Sequence, residues 1–587
     1  MCLLGWSRLK GGYHFSHQLC IEMAVDSSAV VVLIIFYLVI LVVGLLAAYR
    51  VKQKGNEIGE LETSLVAGRD LQTSIGIFTM IATTVGGGFI NGTAEEVAKA
   101  GIVWTLAPIG IFIGLNLGGA VYARKMRNAR YLTMLDPFQV HHGNFITFLI
   151  YSTSLTGDLL WTASILNALG STLSVIAQID LLVAVLMSGF VAIVYTMLGS
   201  MISVAYTDVV QMIFILLGLV ISLPFVLSNE NISAISEKRD TWLGHLSPAY
   251  IAVWSDLLVA MTLGTIPWQA YFQRVLSMKS SKQAQILSFV GAVGALVLAV
   301  PPALLGIAGA SADWSNTTFG VSPVGTNQSS LILPLVISEF TPKIVSLLGL
   351  GAISAAVMSS MDSSVLATSS MFTHNVYHEM FRLTASKREL GCVQIFAVVF
   401  FGCVSMAIAI WSNVIYGMFI LAADIVFVII FPQLTAVLFF PSFVNSAGAF
   451  AGFFLGLVLR IGAGEPIVDL PVWIYFPYYS EEDGGQLFPF RTVSMLLSLG
   501  AIVLVTKLSR WACLATSAGC GYKWFMGRNE SNPNHLVRQD NHDGNEKDLT
   551  QYSNGNRETA GQCEASKRMW IRCQSSGEDV ETDFIQG

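Results

Sequence analysis

The chain has 587 residues, 54% of them hydrophobic and only 12% charged, with a mean hydropathy of +0.64. A soluble domain carries about a quarter charged residues, so this composition excludes an ordinary water-soluble fold and points to a bilayer. A net charge of −6 is too small at this length to argue for nucleic acid or an acidic partner. In chain order, about thirteen apolar spans are read at 28–48, 71–97, 102–122, 145–176, 180–198, 205–228, 250–275, 284–309, 333–380, 389–411, 415–439, 446–462 and 491–509. Most approach the roughly 20 residues that a hydrocarbon core requires. The expectation is an all-α polytopic membrane protein whose transmembrane domain covers 28–509. The ninth span is too long for one straight crossing and predicts a helical extension into the cytoplasm.

Lys and Arg in short loops orient such a chain. Arg50, Lys52, Lys54 and Arg69 follow the first span, and Arg124, Lys125, Arg127 and Arg130 follow the third. Arg274, Lys279 and Lys282 follow the seventh, and Arg382, Lys387 and Arg388 the ninth. An outside N-terminus (1–27) puts all four clusters in the cytoplasm. The opposite loops hold the sequons at Asn231, Asn316 and Asn327, as expected of glycan-accessible faces. An odd span count leaves residues 510–587 inside as a cytoplasmic tail. It is rich in Asn, Gly, Ser, Glu and Asp and too poor in apolar residues to fold alone.

Residues 1–22 lack a clean apolar stretch ending in a small-residue cleavage site, so no leader is read there. The eight cysteines show no zinc-type spacing and none falls in an outside loop, so neither a disulfide framework nor a metal site is expected. No nucleophile–base set or cofactor motif is present, which argues against an enzyme. The chain alone does not give an oligomeric state.

Two spans are interrupted near their middles. The second contains Gly86-Gly87-Gly88 and the seventh Gly264-Thr-Ile-Pro267-Trp268. Glycine costs about 1 kcal/mol and proline about 3 kcal/mol inside a helix. Unwound backbone at membrane depth survives only where it lines a cavity or is buried in protein. The interruptions stand five spans apart, as the first members of two five-helix halves would, and matched broken helices mark a transporter's binding site. The ninth span supplies Ser354, Ser359, Ser360, Ser363 and Ser364 around one carboxylate, Asp362. Hydroxyls together with freed carbonyls suit a hard cation such as sodium. For any single serine, bonding back to the preceding turn is the commoner use, but an ionisable group at depth is a functional signal by default.

Asp158 and Trp161 lie three apart in the fourth span, and Trp268 follows the second interruption. A quaternary ammonium has no proton to donate, so ring faces and charge at a distance must hold it, at about 0.5–2 kcal/mol per ring. A lone tryptophan is more often a belt or packing residue. Of the other acids, Asp136, Asp208, Asp256 and Asp424, some are read as internal pairs or helix caps, and none is assigned to transport.

From about Met23 to Lys507 the chain resembles the sodium/solute symporter family, in its choline-carrying branch. The resemblance is carried by Val85-Gly-Gly-Gly-Phe-Ile-Asn-Gly-Thr-Ala-Glu95, Thr133-Met-Leu-Asp-Pro-Phe-Gln139 and Ser203-Val-Ala-Tyr-Thr-Asp-Val-Val-Gln211. It continues through Ile266-Pro-Trp-Gln-Ala-Tyr-Phe-Gln-Arg-Val-Leu276, Ser354–Ser364, Phe431-Pro-Gln433 and Gly464-Glu-Pro466. It implies a LeuT-type 5+5 inverted repeat and sodium- and chloride-dependent choline uptake feeding acetylcholine synthesis, with no other cofactor. It also implies a plasma-membrane location, at presynaptic terminals and synaptic vesicles. By position, sodium would take backbone oxygens of Ala82, Val85 and Ala356 and the hydroxyls of Ser359 and Ser360, with Asp362 at a further ion position. Trp161 and Trp268 would wall the substrate. Two positions depart from the branch: Thr84 replaces a tryptophan before the glycine run, and Ile111 replaces a tyrosine in the third span. Both remove a ring expected at the ammonium, so another small amine or organic solute stays open as cargo. A ligand-gated sensor or channel without coupled transport stays open as a third reading.

Overall fold

The computed structural model describes residues 65–197, 201–412, 414–481 and 485–515, with scattered positions between 31 and 62. The expected N-terminal segment 1–27, the basic residues Arg50, Lys52 and Lys54, and the tail from 516 onward lie outside the described residues. The described chain is helical throughout its apolar spans, and one two-residue β-hairpin, Tyr479–Ser480 with Gly485–Gln486, accompanies them.

Fifteen of the helices frame the site. They are α1 (Thr73–Thr84), α2 (Gly87–Lys99), α3 (Ala107–Leu117), α4 (Asn144–Ala177), α5 (Leu181–Met197) and α6 (Met201–Leu227). Then come α7 (Ile251–Gly264), α8 (Gln269–Leu276), α9 (Ser281–Ser311), α10 (Ile332–Phe340) and α11 (Lys343–Met371). The last four are α12 (Lys387–Trp411), α13 (Ile415–Phe439), α14 (Ser446–Gly462) and α15 (Phe490–Ala515). Nine stretches among the described residues are long and apolar enough to cross a bilayer, or ten with the bent pair α1–α2. α5 and α14, at 17 residues each, are shorter. The expected ninth span divides at Thr341-Pro342 into α10 and α11, because proline disfavours helical backbone in the residue before it.

The bundle buries its polar side chains among a hydrophobic core and turns apolar ones outward. Every residue of α11 from Ala352 to Met371, serines and Asp362 included, is buried. Conversely α5, α6, α9 and α12 expose Phe190, Leu216, Val297 and Phe396. Water would penalise that distribution, whereas a hydrocarbon surround favours it.

Both expected interruptions are present. Between α1 and α2 the axis bends by 46°. Val85 (φ −90°, ψ 65°) and Gly86 (φ −101°, ψ −169°) leave helical geometry, and α2 restarts at Gly87. α7 ends at Gly264, and Trp268 is extended (φ −106°, ψ 131°) before α8 begins. Gly264 is required there by space: a Cβ would stand 2.1 Å from the carbonyl oxygen of Ala423 in α13.

The loops sort into two sets. Arg69 binds the carbonyls of Arg130 and Tyr131, Arg127 those of Met278 and Lys279, and Lys279 pairs with Asp70 at 2.7 Å. The basic loops after the first, third and seventh spans therefore meet one another. Arg274, expected with them, is instead in α8 and fully buried. The sequon loops also meet, since Ile232 bridges Ala312 and the Asp313 amide donates to the Asn231 carbonyl at 2.8 Å. Asn316 and Asn327 are exposed and Asn231 is half-exposed.

Candidate functional site

The break in α1–α2 faces the serines of α11. The Ser360 hydroxyl lies 3.3 Å from the carbonyl oxygens of Ala82 and of Thr83. The approach is close enough that a Cβ on Gly86 would sit 1.6 Å from Ser360 Oγ and 2.2 Å from Ser360 Cβ. Ala356 O is 3.7 Å from that same point. Ala82, Thr83, Ala356 and Ser360 thus converge on one small polar volume. Backbone freed from the helical ladder leaves carbonyls in need of partners, and a hydroxyl beside them completes an oxygen-rich site fit for an alkali ion.

Ser359 and Asp362 lie on other faces of α11. Ser359 donates to Asp208 Oδ1 at 2.6 Å. Thr79 also donates to Asp208, and the Arg274 guanidinium stands 3.8 Å from Asp208 Oδ2, both side chains wholly buried. Arg274 further donates to Ser363, whose hydroxyl is 3.1 Å from Thr83 Oγ1. Asp208 and Arg274 therefore form a second polar centre, joined to the break through Thr79, Thr83, Ser359 and Ser363. Isolated in hydrocarbon, either charge would cost several kcal/mol. Together, and ringed by hydroxyls, they persist. Asp362 points elsewhere: its Oδ1 accepts from Thr196 of α5 at 2.7 Å, and its Oδ2 has no partner although buried.

Next to the break lies a small cavity of about 20 Å³, room for a single water. Its walls include Thr83, Thr84, Ile111, Trp161, Trp268 and Tyr271. Thr84 and Ile111, where the sequence lacks rings, do face it. Trp161 and Trp268 are not opposing walls: they stack on each other, centroids 3.4 Å apart and planes 29° apart. Phe419 of α13 backs them at 5.8 and 6.4 Å, which makes it a third ring that sequence reading passed over. Trp268 Nε1 has no hydrogen-bond partner. Asp158, one turn from Trp161, is buried outside the cavity lining, with Oδ2 unpartnered. In α4 apolar and polar residues are buried all round, so three-residue spacing alone did not select a face.

Two further ionic groups pin the scaffold. Glu95 of α2 accepts from the amides of Ile415 and Tyr416 at 3.2 and 3.0 Å and from Ser329 at 2.8 Å. Arg460 of α14 donates to Asp424 of α13 at 2.9 Å and to Glu465 at 2.6 Å. Arg491 of α15 also reaches Asp424, at 2.8 Å, while Asp256 of α7 accepts from the backbone amides of Arg491 and Thr492. This network ties α7, α13, α14 and α15 together.

The model of the sodium:solute symporter family matches residues 65–456. The human high affinity choline transporter 1 is 44% identical over 501 residues, covering 83% of this chain and 86% of that protein. The Drosophila melanogaster high-affinity choline transporter 1 is 43% identical over 496 residues, 84% and 80% of the two chains. The Caenorhabditis elegans high-affinity choline transporter 1 is 43% identical over 493 residues, 82% and 85%. Among solved structures, a sodium-coupled sialic acid symporter in a substrate-bound, outward-open state matches with a TM-score of 0.65 at 16% identity. The match covers 82% of this chain and 97% of that one. At that identity the likeness carries the fold alone, which is the LeuT type.

Proposed function

Because the chain belongs to the sodium:solute symporter family, we propose that it imports choline by coupling it to sodium. The observation that carries this reading is the Ser360 hydroxyl beside the loosened carbonyls of Ala82 and Thr83. Sodium takes that place, with oxygens from Ala82, Val85, Ala356 and Ser360. Ser359 joins when it turns from Asp208, and Asp362 serves a further ion position. With the break tightened around the ion, the ammonium enters beside Trp161 and Trp268, and Asp158 acts on its charge from a distance. The two halves then rock to release it inside. The N-terminus lies outside and the tail inside, the sequons at Asn231, Asn316 and Asn327 carry glycans, and chloride accompanies the cycle. Uptake at the plasma membrane of nerve endings would supply acetylcholine synthesis.

The test is uptake of labelled choline by cells expressing the full chain. Uptake should vanish when sodium is replaced by a bulky cation and fall sharply in Ser360→Ala and Trp268→Ala. Uptake indifferent to lithium replacement would rule out the coupling. A second reading keeps the coupling and changes the cargo, favoured by Thr84 and Ile111 on the cavity wall. Competition by a panel of amines, sugars and amino acids separates the two.

A further inference from the structure

Beyond α11 the same helix changes its winding. Residues Phe372–Phe381 form a π-helix, in which hydrogen bonds close from i to i+5. Residues four and five apart then flank one face, so His374 meets both His378 and Glu379. One ligating atom from each of these three side chains lies within 4.8 Å of the others. The two imidazoles stack with planes 16° apart, and His378 Nδ1 is 3.2 Å from Glu379 Oε1. His374 is buried, and its Nδ1 has no partner. Its Nε2 lies 3.5 Å from Asp136 Oδ1.

An orphaned nitrogen in a buried ring costs free energy unless something occupies it. A carboxylate on the opposite ring nitrogen is the arrangement that orients metal-bound histidines. Asp136 is held in place independently, by the Leu132 amide at 2.6 Å, the Thr133 hydroxyl at 2.6 Å and Asn375 Nδ2 at 2.8 Å. We propose that His374, His378 and Glu379 bind a divalent transition-metal ion of the zinc class, with Asp136 positioning His374. Two imidazoles and one carboxylate leave one tetrahedral place for water. Magnesium and calcium, which take all-oxygen shells, suit this donor set poorly. The site stands on the continuation of the helix that bears Ser359 and Ser360, so an ion there would stiffen its end. The assignment does not depend on what the protein carries.

The experiment uses the full chain, without a polyhistidine tag, in detergent, titrated with zinc chloride against a chromophoric chelator. One zinc per chain is expected. Affinity should fall at least tenfold in Glu379→Gln, by about ten- to a hundredfold in Asp136→Asn, and beyond detection in His374→Ala. His378→Asn, at a partly exposed position, serves as the second ligand variant should His374→Ala not fold, with elution profile and melting temperature as the check. Millimolar magnesium should not compete. Absence of binding by the parent chain, or undiminished binding in His378→Asn, overturns the assignment. The latter result would place the zinc on other groups, such as the exposed thiols of Cys392 and Cys403.

Discussion

Substituting Gly86 by alanine tests the central geometry most directly. The backbone there (φ −101°, ψ −169°) is open to any residue, so the glycine answers to space alone. The new methyl would lie 1.6 Å from Ser360 Oγ, about 1.8 Å short of the 3.4 Å at which ordinary contact begins. Turning the hydroxyl away does not relieve it, because Ser360 Cβ is itself only 2.2 Å off. α11 must therefore withdraw from the break or the break must open, at an overpacking cost of about 1–3 kcal/mol. Either way the oxygens of Ala82 and Ser360 separate. If that cost falls on the sodium-bound form, the half-saturating sodium concentration rises by about one to two decades. The assay is the sodium-activation curve of choline uptake, normalised to surface protein. Gly351→Ala is the comparison, since it lies in the same helix with nothing within 4 Å of its added Cβ, and its curve should not move. An unchanged curve for Gly86→Ala at normal surface level would refute the reasoning.

Restoring rings at the cavity, by Thr84→Trp and Ile111→Tyr together, should tighten choline by about one to three decades, equivalent to about 1–4 kcal/mol, read as a fall in the half-saturating choline concentration. Arg460→Ala leaves Glu465 without its cation and Asp424 with Arg491 alone, and should destabilise the fold by about 3 kcal/mol, read as a drop in melting temperature in detergent. His142, at the end of the short helix Asp136–His142 that precedes α4, has no partner on either ring nitrogen. Burial, with the neighbouring His141 charge, pushes its imidazole down to about 3. Folding therefore favours the neutral ring: its contribution is full above the unfolded value near 6.5 and is lost as pH falls from there toward 3. Stability should drop by about 1.4 kcal/mol per pH unit between about pH 6 and 4, a slope that melting curves of His142→Leu should lack.

Much of this site could be read before any coordinates. Three consecutive glycines and a Gly…Pro pair cannot sustain helices, and the structure breaks at both places. The serines of α11 could be recognised because hydroxyls at that density have no use facing lipid. Thr84 and Ile111 stood out by what they lack, and both reach the cavity. Other features depend on contacts the chain does not advertise. Arg274 sits among loop cations and reads as surface charge, yet α8 folds back on α11 and buries it against Asp208. Phe419 lies in a helix that is apolar around most of its circumference, so no periodicity marks the edge that meets Trp161. Asp158 shows the converse: its spacing implied proximity to the cavity, but helical position alone did not bring it to the wall.

The tryptophan stack has a further consequence. Trp161 and Trp268 stack on each other, so under the proposed function the surface that would recognise the cation is closed on itself. A solute recognised there would first have to separate a pair of rings whose mutual attraction is about 0.5–1.5 kcal/mol beyond their buried area. A neutral molecule of the same size offers the π-faces little in return, whereas a desolvated cation offers each ring more than it gave up. Under the proposed function, selectivity would therefore begin with the free energy needed to part the two rings.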